Sequence, residues 1–300
     1  MHGNIIEIGS DNKKLSVNAG FLRISEQNEV IKDIPFDVIL SIIVTSVQVF
    51  YTQPLLQRLA KEKIPLIICG KNFVPTGIYV PLIGNYQQGH IQRLQFSMSL
   101  PLQKKLWQQV VTEKVRQQNY TLKLCGKKDI LSPLLPQITS GDAKNVEAVA
   151  ARQYFTELFG KDFKRDVNAL GVNSFLNYGY AVVRACVARF VIGVGLCPSL
   201  ALKHQNKLNP LCLVDDLMEP FRPLIDYKVY KIFTENNLAE DEELSPKYKK
   251  ILSGMLVHSL QANCVISPAY RVMENFVRQY VDSITEKKVC ISTNYLIEDV

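Results

Sequence analysis

The apolar residues of the first 84 positions form short runs, some of them alternating with polar residues, which is typical of β-strands. Strands are predicted at residues 4–8, 15–17, 21–24, 30–34, 39–44 and 64–69. Residues 53–61 have helical spacing instead and are expected to link two strands. Residues 74–82 contain proline and glycine, which favours an edge strand or a loop.

From about residue 90 onward, the apolar residues recur at helical spacing. Helices are predicted from residue 90 with a break at Pro101, and at residues 140–159, 174–194, 213–226, 253–258 and 269–284. Pro220 is expected to bend its helix directly after Glu219. The predicted fold class is therefore α+β. It consists of a small β-rich domain at residues 1–84, a linker at residues 85–89 and a larger all-α domain at residues 90–300.

The net charge of +7 is concentrated in residues 88–128, where Glu113 is the only acidic residue. The basic residues of this segment are Arg93, Lys104, Lys105, Lys114, Arg116, Lys123, Lys127 and Lys128. Lys104, Lys105, Lys114 and Arg116 are expected to lie largely away from the apolar stripe of their helix. One interpretation is a solvated helical surface, and the other is a face that binds nucleic-acid phosphates.

Seven cysteines without a C-x-x-C pair indicate free thiols in a reducing cytosol, with neither a disulfide framework nor a zinc site. The first residues lack the apolar segment of a signal peptide. Residues 38–57 carry no charge, but glutamines and a proline interrupt them, and no membrane span is expected there. A cytoplasmic protein is therefore expected. Residues 235–243 hold five acids and are predicted to form an exposed loop.

Two segments contain carboxylates that could bind a cation. In residues 141–155, Ser140 or Asp142 can cap a helix that carries Glu147 about one and a half turns inside. Glu147 could instead pair with a surface cation, either Lys144 or Arg152. In residues 211–223, the acidic positions share a helical face and would repel one another unless a cation binds between them. These positions are Asp215, Asp216 and Glu219, and the competing interpretation is an ion pair between Glu219 and Arg222.

His204 is the third candidate, because it lies between two predicted helices with Lys203 and Lys207 beside it. Those two cations are expected to lower the pKa of the imidazole and leave it neutral if it has no partner, although a lone histidine is more often structural than a ligand. Carboxylates with one imidazole suit Mg²⁺ or Mn²⁺, whereas zinc would require more histidine or cysteine.

The order and spacing of these motifs resemble those of the CRISPR-associated adaptation integrases, and of their type II lineage most. The matching elements are G-D-x-x-N-x-E-x-x-A-A-R-x-Y-F, a histidine 57 residues after the glutamate, and D-L-x-E-P-F-R-P. The resemblance covers nearly the whole chain. It implies that Glu147, His204 and Glu219 ligate the metal and that Asp216 assists. Many members of the family have Asp where this chain has Glu219, and the acidic stretch at 235–243 is not part of the pattern.

The resemblance also implies that short DNA segments are inserted into a repeat array by attack of a 3′-hydroxyl on a phosphodiester. Double-stranded DNA would then contact the basic residues near the carboxylates. The candidate DNA-binding residues are Lys104, Lys105, Lys144, Arg152, Lys203 and Lys207. The implied assembly is a homodimer formed through the β domain, with two such dimers bridged by a small dimeric partner subunit into a heterohexamer. In type II systems further adaptation proteins join.

Two alternatives remain open from the sequence. One is another structure-specific, metal-dependent DNA nuclease, whose chemistry would be the same. The other is a non-catalytic DNA-binding scaffold that has kept the fold. The presence of all three candidate ligands, Glu147, His204 and Glu219, argues against the scaffold.

Overall fold

A computed structural model describes residues 4–70, 75–82, 84–204, 206–239, 241–262 and 264–297. The strands of the N-terminal region are β1 (Asn4–Ile8), β2 (Lys13–Asn18), β3 (Phe21–Glu26), β4 (Glu29–Pro35), β5 (Ile39–Val44), β6 (Val49–Tyr51), β7 (Leu66–Cys69) and β8 (Pro75–Tyr79). They form two four-stranded sheets with the orders β4-β3-β2-β6 and β1-β5-β7-β8. The predicted helix is present as α1 (Gln53–Glu62). The predicted edge strand is β8, which pairs antiparallel with β7. The three-residue strand β6 was not predicted, because it is too short to show a period.

The C-terminal part is mainly helical, as predicted. Its helices are α2 (Gln88–Phe96), α3 (Leu100–Leu124), α4 (Val146–Phe159), α5 (Val172–Gly193), α6 (Cys212–Met218), α7 (Arg222–Glu235), α8 (Pro246–Gly254) and α9 (Ala269–Glu286). Among the described helices, α5 alone is long and apolar enough to cross a membrane, but 89% of its most apolar window is buried in the protein. It therefore has the burial of a core helix. All seven cysteines are free thiols.

The C-terminal part also contains a small sheet, so the prediction of an all-α region is wrong. Strands β9 (Ser259–Ala262), β10 (Val265–Pro268) and β11 (Tyr295–Ile297) pair antiparallel in the order β10-β9-β11. The helix predicted at residues 253–258 ends at Gly254, and the chain turns into β9. Strands of three or four residues contain too few positions to reveal alternation.

The β-rich and helical parts share a core and several polar contacts. Leu40 and Ile43 of β5 belong to the helical core, whereas Ile42 of the same strand faces the core of the β region. The guanidinium of Arg189 on α5 donates to the carbonyls of residues 39 and 40. Glu7 of β1 accepts a hydrogen bond from Tyr178 and pairs with Lys249. The last residues of the predicted 85–89 linker are helical, because α2 begins at Gln88. The domain boundaries themselves stay a prediction.

Candidate metal centre

Glu147 lies in the first turn of α4, where the capping residue Asp142 positions it. The Asp142 carboxylate accepts the backbone N–H groups of Val146 at 2.9 Å and Glu147 at 3.0 Å. This confirms the capping role proposed for Asp142. The prediction that Glu147 lies one and a half turns inside the helix is wrong. Asn145 has a left-handed backbone with φ of 53°, and the α-helix begins only at Val146.

The ammonium of Lys114 on α3 lies between the two candidate glutamates. Its Nζ is 2.7 Å from Oε1 of Glu147 and 2.5 Å from Oε2 of Glu219. The Lys114 side chain is only 10% exposed, so the prediction that it lies largely away from the apolar stripe of its helix is wrong. Its spacing from Val110 and Val111, four and three residues earlier, places it on the buried face of α3 and could have indicated this. The two glutamates therefore share one cation.

Glu219 lies where α6 ends and α7 begins. A 3-10 turn at Glu219–Phe221 separates these helices and contains Pro220, whereas the bend predicted directly after Glu219 stays a prediction. The predicted rival pairing is also present, because Nε of Arg222 donates to Oε1 of Glu219 at 2.8 Å. Burial alone would raise the pKa of Glu219, but Arg222 and Lys114 lower it to about 2. This carboxylate is consequently ionised at neutral pH, with one oxygen on each cation.

Asp216 holds His204 and the backbone beside it. The Asp216 carboxylate is completely buried, and its Oδ1 is 2.6 Å from Nδ1 of His204. Its Oδ2 accepts the backbone N–H groups of Leu202 and Lys203 at 2.7 and 2.9 Å. The imidazole also packs edge-on against Trp107, with ring centroids 5.0 Å apart. Because Asp216 occupies Nδ1, the nitrogen left for a ligand is Nε2.

The expectation that Lys203 and Lys207 lower the pKa of His204 is wrong. The hydrogen bond to Asp216 raises this pKa, against the effect of partial burial, and the charges of Asp216, Glu147 and Glu219 add to the rise. The third carboxylate of the predicted acidic cluster, Asp215, pairs with Arg184 at 2.6 Å.

The residue types suit a hard divalent cation with one imidazole ligand. One oxygen of Glu147 and one of Glu219 already contact the same ammonium group. The hydrogen bond to Asp216 engages Nδ1 of His204, so Nε2 is the ring nitrogen that Asp216 leaves available. Within the described ranges, no three His, Cys, Asp or Glu side chains stand as a ready-made ligand set. We call Glu147, His204 and Glu219 the candidate centre.

The candidate centre borders a cleft of about 1000 Å³. Its cationic lining residues are Arg165, Arg184, Lys203 and Arg222, and His204 and Glu219 also line it. The three arginines could not be assigned to this surface from the sequence, because they come from distant segments that only the fold brings together. Asn177, Asn206 and Asn209 add polar groups to the same walls.

The predicted DNA-binding residues are all exposed. Nζ of Lys203 donates to the carbonyl of Gly141 at 3.2 Å, and the Lys104 stem lies against the same glycine. Those two lysines thus meet next to the cap of α4, close to Glu147. Lys207 lines a second cleft of about 510 Å³. Lys105, Lys144 and Arg152 are solvent-facing positions on α3, before α4 and on α4.

Comparison with known proteins gives concordant results. The family model described as "CRISPR associated protein Cas1" matches residues 6–253. The CRISPR-associated endonuclease Cas1 of Neisseria meningitidis serogroup C is 35% identical over 278 residues, which cover 91% of this chain and 90% of that protein. A casposase bound to integration product superposes with a TM-score of 0.80 and 18% identity, covering 100% of this chain and 96% of the other. A chain of a Cas6-RT-Cas1–Cas2 complex gives a TM-score of 0.78 and 16% identity, covering 98% of this chain and 36% of that one.

Proposed function

Since the chain belongs to the Cas1 family of CRISPR-associated proteins, we propose that it is a metal-dependent DNA integrase and endonuclease of CRISPR adaptation. One observation carries the proposal. A glutamate of α4 and a glutamate of the turn after α6 converge on one cation. An imidazole oriented by a buried aspartate lies beside them, at the edge of a cleft lined by arginine and lysine. The likeness in fold to a casposase bound to integration product supports the integrase activity.

Glu147, His204 and Glu219 would hold the Mg²⁺ or Mn²⁺ ion. When bound, such an ion polarises the scissile phosphate and stabilises charge on the attacking and leaving oxygens. Arg165 and Lys203 line the approach and would bind the phosphates of the DNA, whereas Arg184 and Arg222 line it while paired with Asp215 and Glu219. Asp216 keeps Nδ1 of His204 engaged, so that the imidazole presents Nε2.

The proposed reaction is a transesterification. The 3′-hydroxyl oxygen of the incoming DNA segment forms a bond to a phosphorus in the repeat, and the bond from that phosphorus to the 3′-oxygen of the repeat strand breaks. The proton of the attacking hydroxyl is lost, and the departing 3′-oxygen gains one. No covalent bond to the enzyme forms, so no serine or cysteine nucleophile is needed. With water in place of the 3′-hydroxyl, the same displacement is endonucleolytic cleavage.

The exposed apolar residues of the sheet β4-β3-β2-β6 support the proposed homodimer. Phe21, Val30, Ile31 and Phe50 are each between 41% and 55% exposed, and β4 is an edge strand that can pair with another chain. The family and the fold-level likeness to a chain of a Cas6-RT-Cas1–Cas2 complex support a small dimeric partner subunit, Cas2. The heterohexamer, further type II adaptation proteins and a cytoplasmic location remain part of the proposal.

Replacing Asp216 by asparagine is expected to weaken Mn²⁺ binding roughly 10- to 100-fold, as for other residues that orient a metal-binding histidine. The amide cannot supply both the charge and the acceptors that hold His204 and the backbone of residues 202 and 203. Calorimetric titration with Mn²⁺ measures the effect. The matched control is Asp215→Asn, which breaks the pair with Arg184 and should leave the Mn²⁺ affinity unchanged. An unaltered Mn²⁺ affinity in the Asp216 variant would show that Asp216 does not orient a metal-binding histidine.

Changing Lys104 and Lys105 together to alanine is expected to weaken DNA binding on every sequence. The slope of log affinity against log salt should fall by about one unit for each phosphate that the variant no longer neutralises. Fluorescence anisotropy at several salt concentrations measures both quantities. Lys247→Ala with Lys250→Ala is the control, because it removes the same charge from exposed positions on α8. A salt slope equal to that of the parent would exclude Lys104 and Lys105 from the DNA interface.

The overall proposal is tested with a supercoiled plasmid carrying a repeat array, a labelled DNA duplex with free 3′-hydroxyls, the partner subunit and Mn²⁺. We expect the label to become joined to the repeat, and a duplex with 3′-deoxy ends to prevent joining. Cleavage without joining would favour the other metal-dependent nuclease. DNA binding with neither reaction would favour the scaffold.

A further inference from the structure

Lys114 contacts two residues of the candidate centre, and the proposed function assigns it no role. It comes from α3, whereas Glu147 and Glu219 come from α4 and the turn after α6. Its ammonium contacts both glutamates within 2.7 Å, and all three side chains are at most 16% exposed. The ammonium is therefore enclosed by the two carboxylates.

The charges of the two glutamates and of their two cationic partners balance without any metal ion. Glu147 and Glu219 contribute two negative charges, and Lys114 and Arg222 contribute two positive ones. The Lys114 ammonium thus serves the two glutamates as a built-in counter-ion, through contacts of 2.7 Å and 2.5 Å.

A divalent cation that binds the same two carboxylate oxygens needs the space between them. The ammonium occupies that space, and two cations so close together repel each other in a buried site. The long flexible side chain of lysine can move away, whereas the backbone of α3 is held by the core. A divalent cation would therefore bind there in exchange for the ammonium.

We propose that Lys114 is an internal counter-ion that competes with the divalent cation for Glu147 and Glu219. It holds the two carboxylates together in the metal-free protein, and its departure is part of metal binding. Lys114 is in this sense a positioning residue that sets the metal affinity. The inference rests on the proposed function, because it takes the candidate centre to be the metal site.

The test is a calorimetric titration of the full chain with Mn²⁺ in the absence of DNA, using Lys114→Met. Methionine fills a similar volume without charge. A neighbouring unit charge commonly shifts an ionic equilibrium by one to three powers of ten, so Mn²⁺ should bind roughly 10- to 1000-fold more tightly. The metal-free variant should melt at a lower temperature than the parent, and Mn²⁺ should raise its melting temperature by more.

Two further variants distinguish the effect of the Lys114 charge on Mn²⁺ affinity from the effect of side-chain packing. Lys114→Arg keeps the charge and should bind Mn²⁺ no more tightly than the parent. Lys249→Met removes a comparably buried lysine from its ion pair with Glu7 and should lose stability without any change in Mn²⁺ affinity. If Lys114→Met is poorly folded, Lys114→Gln takes its place, and the Mn²⁺ dependence of its melting temperature reports the affinity.

The inference is overturned if the neutral variants bind Mn²⁺ no more tightly than the parent, or if Lys114→Arg tightens binding equally. Glu147→Gln, made in the parent and in the Lys114→Met variant, then distinguishes a failure of the metal-site hypothesis from a failure of the counter-ion hypothesis. If Glu147→Gln abolishes Mn²⁺ binding but Lys114→Met leaves the affinity unchanged, only the counter-ion role of Lys114 is wrong. If Glu147→Gln has no effect in either background, the metal site itself is wrong.

Discussion

Glu147→Gln is expected to lower Mn²⁺-dependent strand transfer by about a thousandfold or more, because several kcal/mol of transition-state stabilisation would be lost with the metal. Glutamine keeps the size of the side chain and removes the charge that the cation requires. Affinity for duplex DNA should be almost unchanged, since the basic residues of the cleft remain in place. The measurements are the rate of joined-product formation and a parallel binding titration.

Glu157→Gln is the matched control for this result. Glu157 lies on the same helix, α4, and within the described part of the chain its carboxylate accepts a long 3.4 Å hydrogen bond from the backbone of Lys128. Strand transfer by this variant should equal that of the parent. Normal integration by Glu147→Gln would contradict the metal-site hypothesis.

Arg222→Met is expected to lower the free energy of unfolding by about 3 kcal/mol, because removing one partner of a buried ion pair leaves an uncompensated charge. The guanidinium donates to Glu219 at 2.8 Å and also stacks over the ring of Tyr180, 4.7 Å from its centroid. We place the effect at the lower end of the usual range since Lys114 still contacts Glu219. Urea unfolding of the metal-free protein measures it.

Two further variants help to interpret the effect of Arg222→Met on stability. Arg278→Met removes an exposed arginine from its pair with Glu274 and should change stability very little. Adding Glu219→Gln to Arg222→Met should recover part of the loss, because the unpaired charge is then gone. A stability equal to that of the parent in Arg222→Met would show that the pair is not needed for folding.

The sequence predicted the fold class and most elements. In long helices and strands the apolar residues recur at a regular spacing, and this spacing shows which face of the element is buried. Pro220 indicated an irregularity near Glu219, and a 3-10 turn is found at Glu219–Phe221, since proline cannot continue the hydrogen bonding of the preceding turn. The C-terminal sheet was missed, because its strands are too short for a pattern. The start of α4 was placed too early, because the left-handed backbone at Asn145 leaves no hydrophobic signal.

The candidate centre was predicted in part. From residue types alone, Glu147, His204 and Glu219 were three separate and weak indications, and the motif resemblance joined them. Asp216 was expected to assist, and its contacts with His204 and the backbone of residues 202 and 203 now give it a specific task. Lys114 was predicted to lie away from the apolar stripe of its helix, because charged side chains are usually exposed to solvent. Its pairing with carboxylates of two other elements depends on tertiary structure.

Glu147, His204 and Glu219 are proposed to bind the metal ion of a DNA strand-transfer enzyme. Anomalous diffraction at the manganese edge, from crystals of the full chain soaked in Mn²⁺, tests it most directly. We predict a peak within coordination distance of both glutamate carboxylates and Nε2 of His204. A Mn²⁺ ion bound elsewhere, with these three side chains unligated, would contradict the claim.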